Sequence, residues 1–174
     1  SFVYRYPLSK PVITSFGVMD NRPMLILKIT DNNGMYGWGE VWCNFPLTGA
    51  EHRAKLIDNV FKPLLANFSI ITPEKTYEYL VSKTKILSIQ SGEPGPIAQC
   101  IAGIDIAVHD LIGKVENISL WKKFGGNKNI IPCYASGINP TEPEVTVKDA
   151  IKKGYSSFKL KIGFGLKKDL GNIK

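Results

Sequence analysis

Hydrophobic positions first recur with a period of two. Met24-Leu25-Ile26-Leu27-Lys28-Ile29-Thr30 reads as a strand, Asp31-Asn32-Asn33-Gly34 supplies turn chemistry, and Met35 to Trp42 is the return strand of a hairpin. Phe2–Leu8 adds a third strand, joined to the hairpin by a loop over Ser9–Asn21. A second loop, Cys43–Gly49, follows the hairpin.

The period then changes to 3.6. Thr48 or Gly49 caps a predicted helix from Ala50 to about Phe61, with Leu56, Ile57, Val60 and Phe61 on its apolar face. Thr72-Pro73 opens a second helix that runs to about Ile86. Gly92-Glu93-Pro94-Gly95-Pro96 breaks the chain, and the segment from Ile97 to Val115 is apolar nearly all round, which predicts a helix buried on most sides. Ser119 caps a short helix, Leu120 to Phe124, ended by Gly125-Gly126.

A third pattern starts at Ile130. Ile131 to Ser136 reads as a strand, Glu142 to Lys153 as a helix ended by Gly154, and Ser157 to Ile162 as a second strand. Strand, crossover helix and strand make a βαβ unit with a parallel sheet. Two parallel strands cannot cover both their faces, so residues 130–174 are expected to open a larger domain, after a first domain over 1–129.

Charge changes little in this picture. The net +7 of the 174 residues lies wholly in residues 119–174, where 11 lysines face four acids, whereas residues 1–118 balance 11 against 11. Only three of the 22 basic residues are Arg, and neither zinc-finger spacing nor an aromatic RNA-binding strand accompanies the lysines, so nucleic acid is not an expected partner. No uninterrupted apolar run reaches the ~20 residues of a membrane span and no charged-then-apolar leader is visible, so no membrane partner is expected. Cys43, Cys100 and Cys133 are odd in number and far apart, which suits reduced thiols in a cytoplasmic protein.

Candidate chemistry centres on Phe158-Lys159-Leu160-Lys161-Ile162, where strict alternation turns both lysines to one side. Inside a filled barrel core two ammonium groups are costly, but at the C-terminal mouth of a (β/α) barrel they fit an active site. Neighbouring ammonium groups also disfavour one another's protonation, which a general base requires. The alternative is an edge strand whose lysines face water and block pairing.

The chain resembles the mandelate racemase/muconate-lactonizing branch of the enolase superfamily over nearly its whole length. The resemblance rests on Tyr36-Gly37-Trp38-Gly39-Glu40, on Ala102 to Ala107 continuing through Asp110-Leu111-Ile112-Gly113-Lys114, and on Ser119-Leu120-Trp121 with Gly125-Gly126. Pro132-Cys133-Tyr134-Ala135 and Phe158 to Gly163 complete it. It implies an α+β enolase-like N-terminal capping domain followed by the first strands of a truncated (β/α) TIM-type barrel. It implies a racemase, epimerase or cycloisomerase-type enzyme that removes the proton alpha to a substrate carboxylate, giving an enolate stabilised by Mg²⁺. Lys161 then matches the general base, and Lys159 the lysine that tunes it and contacts the carboxylate.

The family's two substrate-closing cap loops correspond to Thr14–Asn21 and Trp42–Gly49, with Phe16, Trp42, Asn44 and Phe45 as candidate substrate-facing residues; packing and turn chemistry are the alternative for each. The family's acidic metal ligands lie on later barrel strands, so no metal ligand is assigned and no cofactor is expected in these 174 residues alone. The expected partners are a small carboxylate substrate and, for a full-length enzyme, further copies of itself in a homo-oligomer. The rival is a short non-catalytic protein used for dimerisation or partner binding.

Other groups are read structurally. Asp105 and His109, four apart on the apolar helix, have a ligand-like spacing, but a hydrogen-bonded histidine is the expectation. Glu40 is expected to be paired at the hairpin end, and His52 to be exposed. Gly163-Phe164-Gly165 lacks the remainder of a phosphate loop.

Overall fold

Asp31 fixes the central turn: its Oδ1 accepts from the Asn33 and Met35 amides at 2.9 and 2.8 Å, and Gly34 follows at φ +85°, an angle few side chains tolerate. The structure is a computed structural model that describes residues 1–14, 17–69 and 72–173. Strands β1 (Phe2–Thr14), β2 (Gly17–Thr30) and β3 (Tyr36–Val41) form a sheet in the order β1-β2-β3. β2 and β3 are antiparallel, with Leu25 opposite Val41, Leu27 opposite Gly39 and Ile29 opposite Gly37. The loop expected over Ser9–Asn21 is instead mostly strand. Pro11 falls on β1, an edge strand of the sheet, where proline is tolerated.

The predicted helix to Phe61 is longer and irregular. α1 (Gly49–Leu56) passes into a single π-helical turn, Ile57–Phe61, and then α2 (Lys62–Ala66). Pro63 has no N–H to return to residue 59, and the wider turn falls immediately before it. α3 (Pro73–Gln90) starts as expected, with Thr72 Oγ1 accepting from the Lys75 amide at 3.2 Å.

α4 (Pro94–Val115) carries the core. Its buried residues Ile97, Cys100, Ile101, Ile104, Ala107 and Val108 join Leu25, Leu27, Val41, Phe61 and Leu80 in one apolar cluster. α4 has the length and hydropathy of a membrane span, yet this face is packed inside the protein. It is not covered on most sides, however: Ala98, Ala102 and Ile106, one stripe at helical spacing, are exposed.

Against β3 the helix comes very close. A Cβ added to Gly39 would lie 2.0 Å from the Gly103 carbonyl oxygen, one on Gly37 2.0 Å from that of Ala107, and one on Gly103 2.4 Å from Val41 Cγ2. Strand and helix therefore touch backbone to backbone, which only glycine permits at these positions.

After α5 (Leu120–Lys123) the chain enters β4 (Ala135–Ile138), α6 (Pro143–Lys152), β5 (Phe158–Leu160) and α7 (Leu166–Ile173). β4 and β5 are parallel, as the βαβ reading requires. β4 begins four residues later than predicted. The β-favouring Ile130 and Ile131 that suggested an earlier start are about four-fifths exposed, so burial does not hold them in a strand. The chain divides into two compact units: Ser1–Pro7 with Asn21–Asn127, and Leu8–Asp20 with Lys128–Lys174.

Candidate functional site

In the second unit, Lys159 lies on β5 and Lys161 just past its end. The Lys161 amide donates to the Ile138 carbonyl at 3.1 Å, so the pairing with β4 continues through it. Its side chain is half-buried, and Nζ donates to Asn139 Oδ1 at 3.2 Å. Lys159 is exposed, with Nζ 5.7 Å from the centre of the Tyr134 ring, close enough for a cation–π contact. Asn139 was not singled out from sequence; its place directly after the first parallel strand is the signal that could have found it.

The adjoining glycine loop is already satisfied. The Gly163 and Phe164 amides donate to the two Asp169 carboxylate oxygens at 2.9 and 3.2 Å. Those N–H groups thus meet a carboxylate within the chain, in keeping with setting a phosphate loop aside.

In the first unit, the 42–49 loop carries three of the candidate residues. Trp42 is exposed, and Asn44 and Phe45 are half-buried. Two arginines hold this loop. Arg53, 3% exposed, donates from Nη1 to the Gly49 carbonyl at 2.9 Å, from Nε to Gln99 Oε1 at 2.7 Å, and from Nη2 to the Phe45 carbonyl at 3.4 Å. Arg5 donates from Nη2 to the Leu47 carbonyl at 2.7 Å, grips Glu51 through Nε and Nη2, and reaches Asn21 Oδ1 at 3.2 Å. The Arg5 guanidinium holds the Glu51 carboxyl below the usual carboxylate range. The sequence offered one clue to Arg53, a glycine four residues earlier on the same helix. Phe16 lies outside the described residues, so its placement is not part of this geometry.

The remaining candidates form no centre. His109 Nε2 is 3.9 Å from Asp105 Oδ2, its ring meets Phe124 edge-on at 5.2 Å, and its buried Nδ1 has no hydrogen-bond partner among the described residues. The expected hydrogen bond is thus replaced by ring packing. Burial pushes the Asp105 carboxyl up, with His109 opposing. Glu40 is exposed and, among the described residues, makes no ion pair. His52 is half-buried rather than exposed, with Nε2 2.9 Å from Glu93 Oε1. A cleft of about 1160 Å³ lies in the first unit, lined by Leu27, Ile57, Phe61, Ile104 and Leu111 and by none of the candidates among the described residues. Among the described residues no group of three His, Cys, Asp or Glu is placed to hold a metal ion. These side chains alone therefore do not fit a divalent cation.

Residues 2–125 match the family model described as mandelate racemase / muconate lactonizing enzyme, N-terminal domain. The N-succinyl-L-Arg/Lys racemase of Bacillus cereus is 26% identical over 99% of this chain and 46% of its own length. The crystal structure of a mandelate racemase/muconate lactonizing enzyme from Bordetella bronchiseptica RB50 superposes with a TM-score of 0.87 at 44% identity, over 98% of this chain and 44% of that one. A racemase from Streptomyces coelicolor A3(2) with bound magnesium gives a TM-score of 0.85 at 25% identity, over 98% of this chain and 48% of that one. The chain thus spans a little under half the length of each of these relatives.

Proposed function

The chain belongs to the mandelate racemase/muconate lactonizing enzyme family, and on that premise we propose that it is the N-terminal portion of a racemase, epimerase or cycloisomerase acting on a small carboxylate. In this reading residues 1–129 form the capping domain, and β4, α6 and β5 are the first elements of the catalytic barrel. Lys161, as the free amine, takes the proton alpha to the substrate carboxylate. The electron pair of the broken C–H bond moves into the carboxylate, giving the enolate. Lys159, two residues earlier on the same side of the chain, supplies positive charge for the carboxylate group. Asn139 accepts from the Lys161 amino group and so fixes where the base sits. Trp42, Asn44 and Phe45 are the proposed substrate-facing side chains of the cap.

Magnesium is bound in one racemase neighbour, and in the longer enzyme Mg²⁺ would supply charge stabilisation from ligands outside these residues. The B. cereus relative's name suggests an N-acylated amino acid as a first substrate to try. A homo-oligomer and a cytoplasmic location complete the proposal.

The observation that carries it is the half-buried Lys161 amino group, tethered to Asn139 just past the end of a parallel strand. The test is uptake of solvent deuterium at the α-carbon of N-succinyl-arginine and related N-acyl amino acids and dipeptides, by the longest protein its coding frame encodes. Exchange lost in K161A and retained in K148A supports the assignment. Exchange at an unchanged rate in K161A removes Lys161 as the base. A coding frame that yields no protein longer than this chain, and no exchange, favours the non-catalytic reading.

A further inference from the structure

Arg53 is a buried guanidinium whose partners, among the described residues, are neutral: two backbone carbonyls and the Gln99 amide. Burying a charge without a counter-ion is costly, and an apolar residue would fill such a place at lower cost. Its planar fork does something an apolar residue cannot, which is to donate to several fixed acceptors at once. One of those acceptors, the Phe45 carbonyl, belongs to the loop that carries Trp42, Asn44 and Phe45, and another, the Gly49 carbonyl, stands where that loop passes into α1. The carbonyl between them, Leu47, is taken by Arg5.

Gly49 belongs to the same arrangement. A Cβ there would lie 2.8 Å from Arg53 Nη1 and 3.0 Å from the Cys43 carbonyl oxygen, so the absent side chain is the space the guanidinium occupies. Within the loop the Gly49 amide donates to the Pro46 carbonyl at 2.8 Å, closing a turn just before α1. Arg5 is itself oriented by Glu51 on α1 and by Asn21 on β2. The Phe45 and Leu47 carbonyls of the loop and the Gly49 carbonyl at its junction with α1 are therefore held by two guanidiniums, one buried and one at the surface, each fixed by further partners.

We infer that Arg53 and Arg5 are positioning residues that lock the 42–49 backbone in place before any ligand arrives. The consequence for substrate recognition rests on the function proposed above. There, a preset loop means that Trp42, Asn44 and Phe45 need not be ordered on binding, which lowers the cost of capture. The anchoring itself is independent of turnover.

Hydrogen–deuterium exchange on this chain tests it. R53Q and R5Q are each expected to speed exchange of peptides covering 42–49 about tenfold, the size of one lost net hydrogen bond, while α4 peptides stay protected. Trp42 reports the same event: with Trp38 and Trp121 changed to Phe, its fluorescence anisotropy falls in both variants at unchanged far-UV circular dichroism. R53K, which reaches one carbonyl rather than two, restores part of the protection. G49A, which pushes the guanidinium out, reproduces the R53Q pattern. If R53Q does not fold, R5Q decides on the same readouts. Unchanged exchange over 42–49, or an increase spread evenly over α3 and α4, overturns the inference. A loosened loop beside an enzyme that needs no Lys161 overturns only the functional reading.

Discussion

The Trp38 amide donates to Asp110 Oδ2 at 2.8 Å, joining the outer edge of β3 to α4 across 72 residues of sequence. Lys114, one turn further along the helix, donates to the same oxygen at 2.6 Å and to the Tyr36 carbonyl at 3.1 Å. Burial pushes the Asp110 carboxyl up, but the Lys114 ammonium and the Trp38 N–H together hold it below the usual range. One carboxylate thus meets an edge-strand donor and ties the hairpin to the helix.

Removing that carboxylate has a predictable pH signature. Because the folded pKa is depressed, its stabilisation is present above the unfolded pKa and is lost as pH falls through the folded one. Asp110 is about one-third exposed, so solvent screens the interaction and D110A should cost only about 1 kcal/mol near neutral pH. Urea midpoints should converge towards wild type at about pH 3. An equal gap at both pH values would place the effect in packing rather than charge.

Two glycine substitutions should act with opposite signs. A methyl on Gly39 meets the Gly103 carbonyl and the Ala107 amide, backbone atoms that cannot turn aside, so G39A should cost about 3 kcal/mol or more. Gly171, inside α7, has open space around it, and G171A should gain about 0.5–1 kcal/mol from helix propensity. Thermal unfolding of the two variants, one melting far below and one slightly above wild type, is the check.

Thiol titration should find a single fast site. Cys43 and Cys100 are buried, and burial pushes the Cys43 thiol up and the Cys100 thiol up to about 12, whereas Cys133 is exposed. A disulfide reagent added to native protein should therefore consume one equivalent rapidly and the other two only on unfolding. Mass spectrometry after a short pulse should locate the label at Cys133, and C133S should abolish the fast phase.

Loss of the α3 cap is a local test. T72A removes the oxygen that accepts from Lys75 and should lower stability by about 1 kcal/mol, with T72S close to wild type. Equal losses in both variants would assign the effect to the threonine methyl instead.

Where structure follows from neighbouring residues, the sequence was enough. The Asp31–Gly34 turn and the Thr72-Pro73 helix start are chemistry within four positions, and both are in place. Where structure follows from distant partners, it was not. Residues 9–14 and 17–21 look like a loop by composition, and become strand because β1 and β2 pair. The π turn before Pro63 has no periodic signature. Among the candidate site residues, the Lys159 and Lys161 alternation was visible as a pattern of two, and both lie at β5. The Asn139 tether depends on a partner 22 residues away. Arg53 has no comparable pattern, since two of its acceptors are backbone carbonyls, which a sequence does not display, and the third, Gln99, is 46 residues away.

The glycine contacts between β3 and α4 also make the helix a ruler for the hairpin. Sliding β3 by one position would bring Trp38 or Glu40 to the places where Gly37 and Gly39 now meet the Ala107 and Gly103 carbonyls, and neither side chain can enter. A turn of a different length at 31–34 would therefore have to be absorbed in the turn itself. Strand alignment is thus specified twice, by the turn chemistry at 31–34 and by a helix some 65 residues downstream that rejects any other register.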